Sequence, residues 1–284
     1  MNIIKADHLG MCFGVRDAIA LARAKAQEQP LTILGELVHN ESVLTDLRRD
    51  GIRIETDPAQ VHTPRAMITA HGASERAKAH ARAHGFELFE GTCPLVTVAH
   101  RAVARLVAEG YHPVIIGKRG HVEVRGLTED LETYDIIESE ADIDRLIPRP
   151  RFGVASQTTQ PIARVRELVA KIRERFPASE LRFIDTVCQP TKQRQNAAEQ
   201  LAAKCDIVIV IGGANSNNTR ELVQTCSRFC DRVHHVQSAA DLRADWFQPN
   251  DTVGITAGTS TPDYLIEAVE HAVHELHIAE PAVV

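Results

Sequence analysis

No apolar stretch in the 284-residue sequence approaches the roughly 20 residues of a membrane-spanning helix, and no polybasic run occurs. Nor is there a low-complexity segment, a C-x-x-C pair or a signal-peptide pattern, because Met1-Asn2-Ile3-Ile4-Lys5 leads straight towards a strand. The first absence excludes a helical membrane protein. The second, with a net charge of −6 and a pI near 6.2, excludes nucleic acid and anionic membrane surfaces as partners. The expected location is the cytosol, where six cysteines serve as ligands, catalysts or buried residues and not as disulfides. At 44% hydrophobic and 25% charged, the composition is that of an ordinary globular protein with ample apolar surface for a core.

Length alone suggests about two domains, but the cysteines argue otherwise. Cys12, Cys93 and Cys188 each follow a short apolar segment (Ile3-Ile4, Phe86 to Phe89, Leu181 to Ile184) and precede an amphipathic run at helical spacing. A second apolar segment then ends in a glycine, Gly35, Gly117 or Gly212, which lies 23, 24 and 24 residues after its cysteine. A third ends in small or hydroxylated residues: Met67 to Gly72, Phe152 to Thr159, and Val253 to Ser260. Such self-similarity is an internal repeat. The last copy lacks its final strand, and Asn2 to Ala6, which carries Cys12, supplies it.

Apolar runs alternating with helices predict parallel sheets, so the expected fold is α/β. It comprises three pseudo-repeated units with small parallel sheets, closing as a ring with one cysteine per unit aimed at a common centre. The expected units are residues 13–93, 94–188, and 189–280 with the strand in 1–12. The tail Ala279 to Val284 is expected to be loose.

Leu95, Val98, Ala99, Ala102, Val103 and Leu106 form the clearest helical stripe. Cys205, Cys226 and Cys230 fall on apolar helix faces and are expected to be small buried hydrophobes. Cys12, Cys93 and Cys188 stand at strand-to-helix turns, where helix N-termini favour thiolates, and could hold Zn²⁺ or an iron–sulfur cluster. Spacing does not choose between them. His39, His71 and His121 lie just past strand ends, in the loops where parallel sheets bind ligands. With the Asn215-Ser216-Asn217-Asn218-Thr219 loop after Gly212-Gly213, they suit a phosphate or diphosphate. The other eleven histidines are expected to be surface or packing residues.

At this point the sequence resembles a known family, the 4-hydroxy-3-methylbut-2-enyl diphosphate reductases of the methylerythritol phosphate route to isoprenoids. The matching pieces run through nearly the whole chain: Gly10 to Val15, Val38-His39-Asn40, Ala70-His71-Gly72, Thr92 to Val96, Gly120 to Val124, Gln157-Thr158-Thr159, Val187-Cys188, Arg194-Gln195, Asn215 to Thr219, and Thr256 to Asp263. The resemblance implies a central [4Fe–4S] cluster held by Cys12, Cys93 and Cys188, with one iron lacking a protein ligand. It implies a substrate diphosphate held by His39, His71, His121, Thr158, Ser216, Asn217, Asn218 and Ser260, and a catalytic set of Glu123, Thr158 and His121, with Glu123 and Thr158 handling the proton. The activity implied is two-electron, two-proton removal of the allylic hydroxyl, giving isopentenyl and dimethylallyl diphosphate. An external electron donor such as ferredoxin or flavodoxin is implied as a partner.

The sequence departs from the family pattern at Arg16-Asp17, at Val122 where proline is usual, and at Asn217 within the usual Ser-Ser-Asn. If residues 121–123 are extended, Glu123 points the same way as His121; the alternative is a solvated Glu123 paired with Lys118, Arg119 or Arg125. Two rival functions remain. A dehydratase of quinolinate-synthase type would need arginines for its carboxylates, and a redox sensor or structural zinc protein would normally need four protein ligands.

Overall fold

The computed structural model describes residues 1–278; the tail from Ala279 onward lies outside the described residues. In chain order the elements are β1 (Asn2–Lys5), α1 (Phe13–Glu28), β2 (Leu31–Leu34), α2 (Glu41–Arg49), β3 (Arg53–Glu55), β4 (Arg65–Ile68), α3 (Glu75–Arg82), β5 (Glu87–Glu90) and α4 (Pro94–Ala108). They continue with β6 (His112–Ile116), α5 (Val122–Thr128), β7 (Asp135–Ile137), α6 (Glu140–Ile143), β8 (Arg151–Ser156), α7 (Ile162–Arg175) and β9 (Glu180–Phe183). The last are α8 (Gln189–Ala202), β10 (Ile207–Ile211), α9 (Asn217–Cys226), β11 (Val233–Val236), β12 (Thr252–Ala257) and α10 (Asp263–Ile278).

These strands form three four-stranded sheets, ordered β3-β2-β4-β5, β7-β6-β8-β9 and β11-β10-β12-β1, with every pairing parallel. All three share one topology, in which the first strand is central, the second lies outside it and the third and fourth follow on the other side. The N-terminal β1 fills the fourth position of the last sheet, as the permuted repeat predicts, pairing Ile3 with Val253 and Ile4 with Gly254. Turn hydrogen bonds repeat as well. The amides of Gly35, Gly117 and Gly212 donate to the last or near-last carbonyl of the neighbouring outer strand: Glu55, Ile137 and Val236.

Two compact units emerge among the described residues. One contains Met1–Phe13, His39–Val43 and the chain from Gln189, and so includes the β11-β10-β12-β1 sheet. Its central strand β10 is buried throughout, and period 2 divides it between two cores. Ile207, Ile209 and Ile211 pack with Val269 and Val273 of α10. Val208 and Val210 face Leu201 of α8 and Leu222 and Cys226 of α9. Full burial of each such side chain stabilises by about 1.5–3 kcal/mol.

The other unit, Gly14–Val38 and Leu44–Cys188, contains the remaining two sheets. In β6, Val114 and Ile116 face α7 through Val165, Leu168, Val169 and Ile172, while Ile115 faces α4 through Ala99, Val103 and Leu106. On α4 the stripe is shifted from the predicted one: Val96 is buried and Val98 is 54% exposed. The predicted stripe was one residue too wide, and the helix turns Val98 off its edge. Within this unit α3 is tied to the end of α5, since Asp130 accepts from the amides of Glu75 and Arg76 and Glu129 accepts from the Ser74 hydroxyl.

Candidate active site

Each of Cys12, Cys93 and Cys188 stands at the entrance of a helix, α1, α4 and α8 respectively. Their amides make the same bond: Cys12 N–H to the Thr259 carbonyl, Cys93 N–H to Ala70, and Cys188 N–H to Thr158, each at 3.0 Å. One repeat geometry therefore presents all three thiols, tethered to the loop that follows the third strand of its sheet. The three are partly exposed, whereas Cys226 and Cys230 are buried; Cys205, expected to be buried, is also partly exposed but does not stand at a helix start. Position at helix starts, partial exposure and thiol chemistry fit cluster ligands. The Cys93 sulfur lies against the first turn of α1, where a Cβ on Gly14 would overlap it.

Cys205, Cys226 and Cys230 belong to one apolar cluster with Leu201 and Leu222. Two of their placements differ from the sequence reading. The helix α8 ends at Ala202 and α9 at Cys226, so Cys205 and Cys230 sit in the turns that follow, packed inward by the chain's approach to β10 and β11. Burial, first, pushes the Cys226 thiol up to about 12 and the Cys205 thiol up to about 11, which makes both poor ligands and poor nucleophiles.

In the larger unit, His71 and His121 meet edge to face with ring centroids 5.6 Å apart. His71 directly follows Ala70, the residue that tethers Cys93. His121 caps α5, and its Nδ1 accepts from the Glu123 amide at 3.1 Å. That bond assigns any proton of the neutral ring to Nε2.

The expectation of an extended 121–123 segment is overturned, because α5 begins at Val122. The helix turns Glu123 inward, to 1% exposure. The ion pairs weighed as an alternative are absent among the described residues. The Glu123 carboxyl instead accepts from the Thr158 amide at 2.6 Å and the Thr158 hydroxyl at 3.1 Å. Burial raises its pKa from 4.5 to about 7, with the two Thr158 bonds opposing the rise. Such a carboxyl is half protonated at neutral pH, suited to general acid work. The Thr158 carbonyl that tethers Cys188 joins the acid to the third thiol turn.

In the smaller unit, the His39 carbonyl approaches Gly213 so closely that any Cβ there would overlap it, and it accepts a long 3.5 Å bond from the Ser260 hydroxyl. Ser216 caps α9, accepting from the Thr219 amide at 3.3 Å, and Asn217 and Asn218 form the buried first turn. Asn218 Oδ1 accepts from the Thr259 amide at 2.9 Å, while its Nδ2 is buried with no hydrogen-bond partner. Leaving a buried donor unmet costs about 1–3 kcal/mol, so the amide group points to a ligand with acceptor oxygens.

Of the departures, Arg16 and Asp17 are exposed on α1, away from its buried stripe, and Val122 takes the first position of α5, where proline would only have pre-set the backbone. Sequence reasoning passed over Arg194 as a site residue although the Arg194-Gln195 pair stood out. The buried Arg194 donates through Nε to the Gly10 carbonyl at 2.9 Å, fixing the turn that leads to Cys12. His100, placed among the surface and packing histidines, has its Nε2 buried without a partner.

A scaffold that uses one α/β repeat three times, each copy delivering a cysteine to a helix start from its last strand, defines a distinct class of protein. Within it the chain belongs to the LytB protein family, whose description matches residues 3–274. It is 33% identical over 282 residues to the 4-hydroxy-3-methylbut-2-enyl diphosphate reductase of Aquifex aeolicus, covering 97% of both chains. Identity to the enzyme of that name from Geobacter sulfurreducens is 34% over 277 residues, with 97% and 98% covered. Among solved structures, the E-1-hydroxy-2-methyl-but-2-enyl-4-diphosphate reductase of Plasmodium falciparum superposes with a TM-score of 0.88 at 26% identity, covering 99% of this chain and 89% of that one. A second, described as the terminal enzyme of the non-mevalonate pathway, gives 0.70 at 33% identity, covering 96% and 99%.

Proposed function

We propose that this LytB-family oxidoreductase removes the allylic hydroxyl of 4-hydroxy-3-methylbut-2-enyl diphosphate with two electrons and two protons, giving isopentenyl and dimethylallyl diphosphate. The observation that carries the reading is the identical tethering of Cys12, Cys93 and Cys188 in three repeats of a chain from this family. Those thiols would hold a [4Fe–4S] cluster with one iron lacking a protein ligand, and when bound the cluster supplies one-electron steps at the reacting carbon–oxygen bond.

The chain's own groups do the rest. His39, His71, His121, Ser216, Asn217, Asn218 and Ser260 bind the diphosphate, with the orphaned Asn218 amide donating to a phosphate oxygen. Glu123 is the acid, and its proton passes by way of the Thr158 hydroxyl, since hydroxide leaves poorly without one. Electrons come from an external one-electron donor such as ferredoxin or flavodoxin, in the cytosol; among the described residues no helix is long and apolar enough to cross a membrane.

The test is anaerobic purification with iron and sulfide analysis, followed by turnover of the allylic diphosphate with a reduced viologen. Cluster absorption and both diphosphate products are expected, with inorganic diphosphate competing. Cys12→Ser, Cys93→Ser or Cys188→Ser should lose iron that Cys226→Ala retains. Zinc in place of iron, or equal iron in Cys93→Ser, would sink the proposal.

A further inference from the structure

Each turnover of the proposed reaction consumes two protons, yet the proposed acid is sealed from solvent. Once Glu123 gives up its proton, a fully buried carboxylate remains that must be protonated again. Thr158 cannot be the source, because both its groups donate to that carboxylate and neither is acidic.

Helix α5 itself points to a source. Gly126 is three residues beyond Glu123, so the two share a helix face. The His100 ring of α4 lies against that face, with Cε1 and Nε2 each 3.5 Å from where a Cβ on Gly126 would stand. Nε2 is also 3.4 Å from the Cβ position of Gly72, the residue after His71. The nitrogen is thus buried beside two glycines and has no hydrogen-bond partner. The same ring borders a cavity of about 390 Å³ whose rim includes the solvent-exposed Glu75, Arg101 and Ala104, so the cavity reaches the surface.

We propose that His100 is a proton relay that recharges Glu123 from solvent through this cavity. The inference rests on the reductase reading above. A proton passes from a buffer acid, by way of cavity water, to the imidazole, and from the imidazolium through water to the Glu123 carboxylate. The imidazole is restored neutral, the carboxyl is restored protonated, and the buffer base is the only product. Burial, then Lys78, hold His100 below the ordinary histidine value, opposed by Asp130, Glu75 and Glu90. The ring is accordingly neutral at rest, able to accept and then donate. Lys78 and Glu75 face it from α3, Asp130 from the end of α5, Glu90 from β5, and Arg101 from its own helix.

Three proteins decide the matter, each first assayed for iron and substrate affinity. His100→Gln, which keeps hydrogen bonding but cannot titrate near neutrality, should retain both and turn over about 10- to 100-fold more slowly, the scale of an assisted proton transfer. His100→Gly should be equally slow and regain rate with added imidazole, saturably and more so as the pH falls through the imidazole pKa. Ala104→Trp, which fills the cavity one helical turn beyond His100, should raise the solvent isotope effect even if the His100 variants fail to fold. Wild-type rates in His100→Gln, or an Ala104→Trp protein with an unchanged rate and isotope effect, would show that protons enter elsewhere and that His100 only packs. Failure of the reductase reading is seen separately, as wild-type protein without iron or products.

Discussion

Glu123 shows how far a single residue can depart from its neighbours' character. A single residue, Val122, separates it from a histidine, and three charged residues lie nearby, so in one dimension it reads as a surface acid. The helix that starts at Val122 turns it inward, against Thr158. Its raised pKa makes a prediction about stability as well as rate. The native state binds this proton more tightly than the unfolded chain does, so its contribution is full below about pH 4.5 and is lost as pH rises to about 7. Glu123→Gln should therefore flatten the fall in unfolding free energy across that window, by up to about 1.4 kcal/mol per pH unit. It should also lower turnover about 10²-fold with the cluster spectrum intact. Denaturant titrations at pH 4.5 and 7.5 with equal slopes for both proteins would remove Glu123 from the titrating set.

Among elements, the strands and the turns were legible in the sequence because period 2 and glycine punctuation are local signals. The cysteine-bearing turns were legible for another reason: the repeat prints the same local solution three times, and coincidence of register substitutes for contact information. What stayed hidden was set by packing between elements. Val98 leaves the α4 stripe, Cys205 and Cys230 fall just past helix ends, and His100 is covered only because Gly72 and Gly126 approach it from other segments. The Asn215 to Thr219 loop was legible as hydroxyl and amide chemistry, but not the orphaned Asn218 Nδ2.

Helix α1 carries the matching test. Alanine favours a helix over glycine by about 1 kcal/mol, so Gly14→Ala should not weaken the iron-free fold by more than about 1 kcal/mol. The added Cβ must nevertheless push the Cys93 sulfur aside. The expected result is an apoprotein with near-normal melting and a cluster that is incompletely loaded or lost several-fold faster in air. Full loading with an unaltered spectrum would mean that Cys93 relaxes without consequence.

At the scale of the whole molecule, one sheet is assembled from the two extremes of the described chain. The amides of Ala6, Gly10 and Cys12 bond to Ile255, Ala257 and Thr259, while that of Cys93 needs only Ala70 and that of Cys188 only Thr158. The first set closes a loop about ten times longer, at an extra entropic cost of about 2 kcal/mol. Pulse-labelled hydrogen exchange during refolding should therefore find the Cys93 and Cys188 amides protected before those of Ala6, Gly10 and Cys12. Simultaneous protection would mean that the chain folds as one step despite its topology.

The borrowed strand also bears on synthesis in the cell. A ribosome makes Cys12 long before Thr259, yet the turn that holds Cys12 takes its carbonyl partner from Thr259. A product released after Cys188 but before β12 carries two finished cysteine turns and a third left open. Under the proposed ligation such a fragment cannot keep its iron, so retention of the metal distinguishes chains that have reached β12 from those that have not.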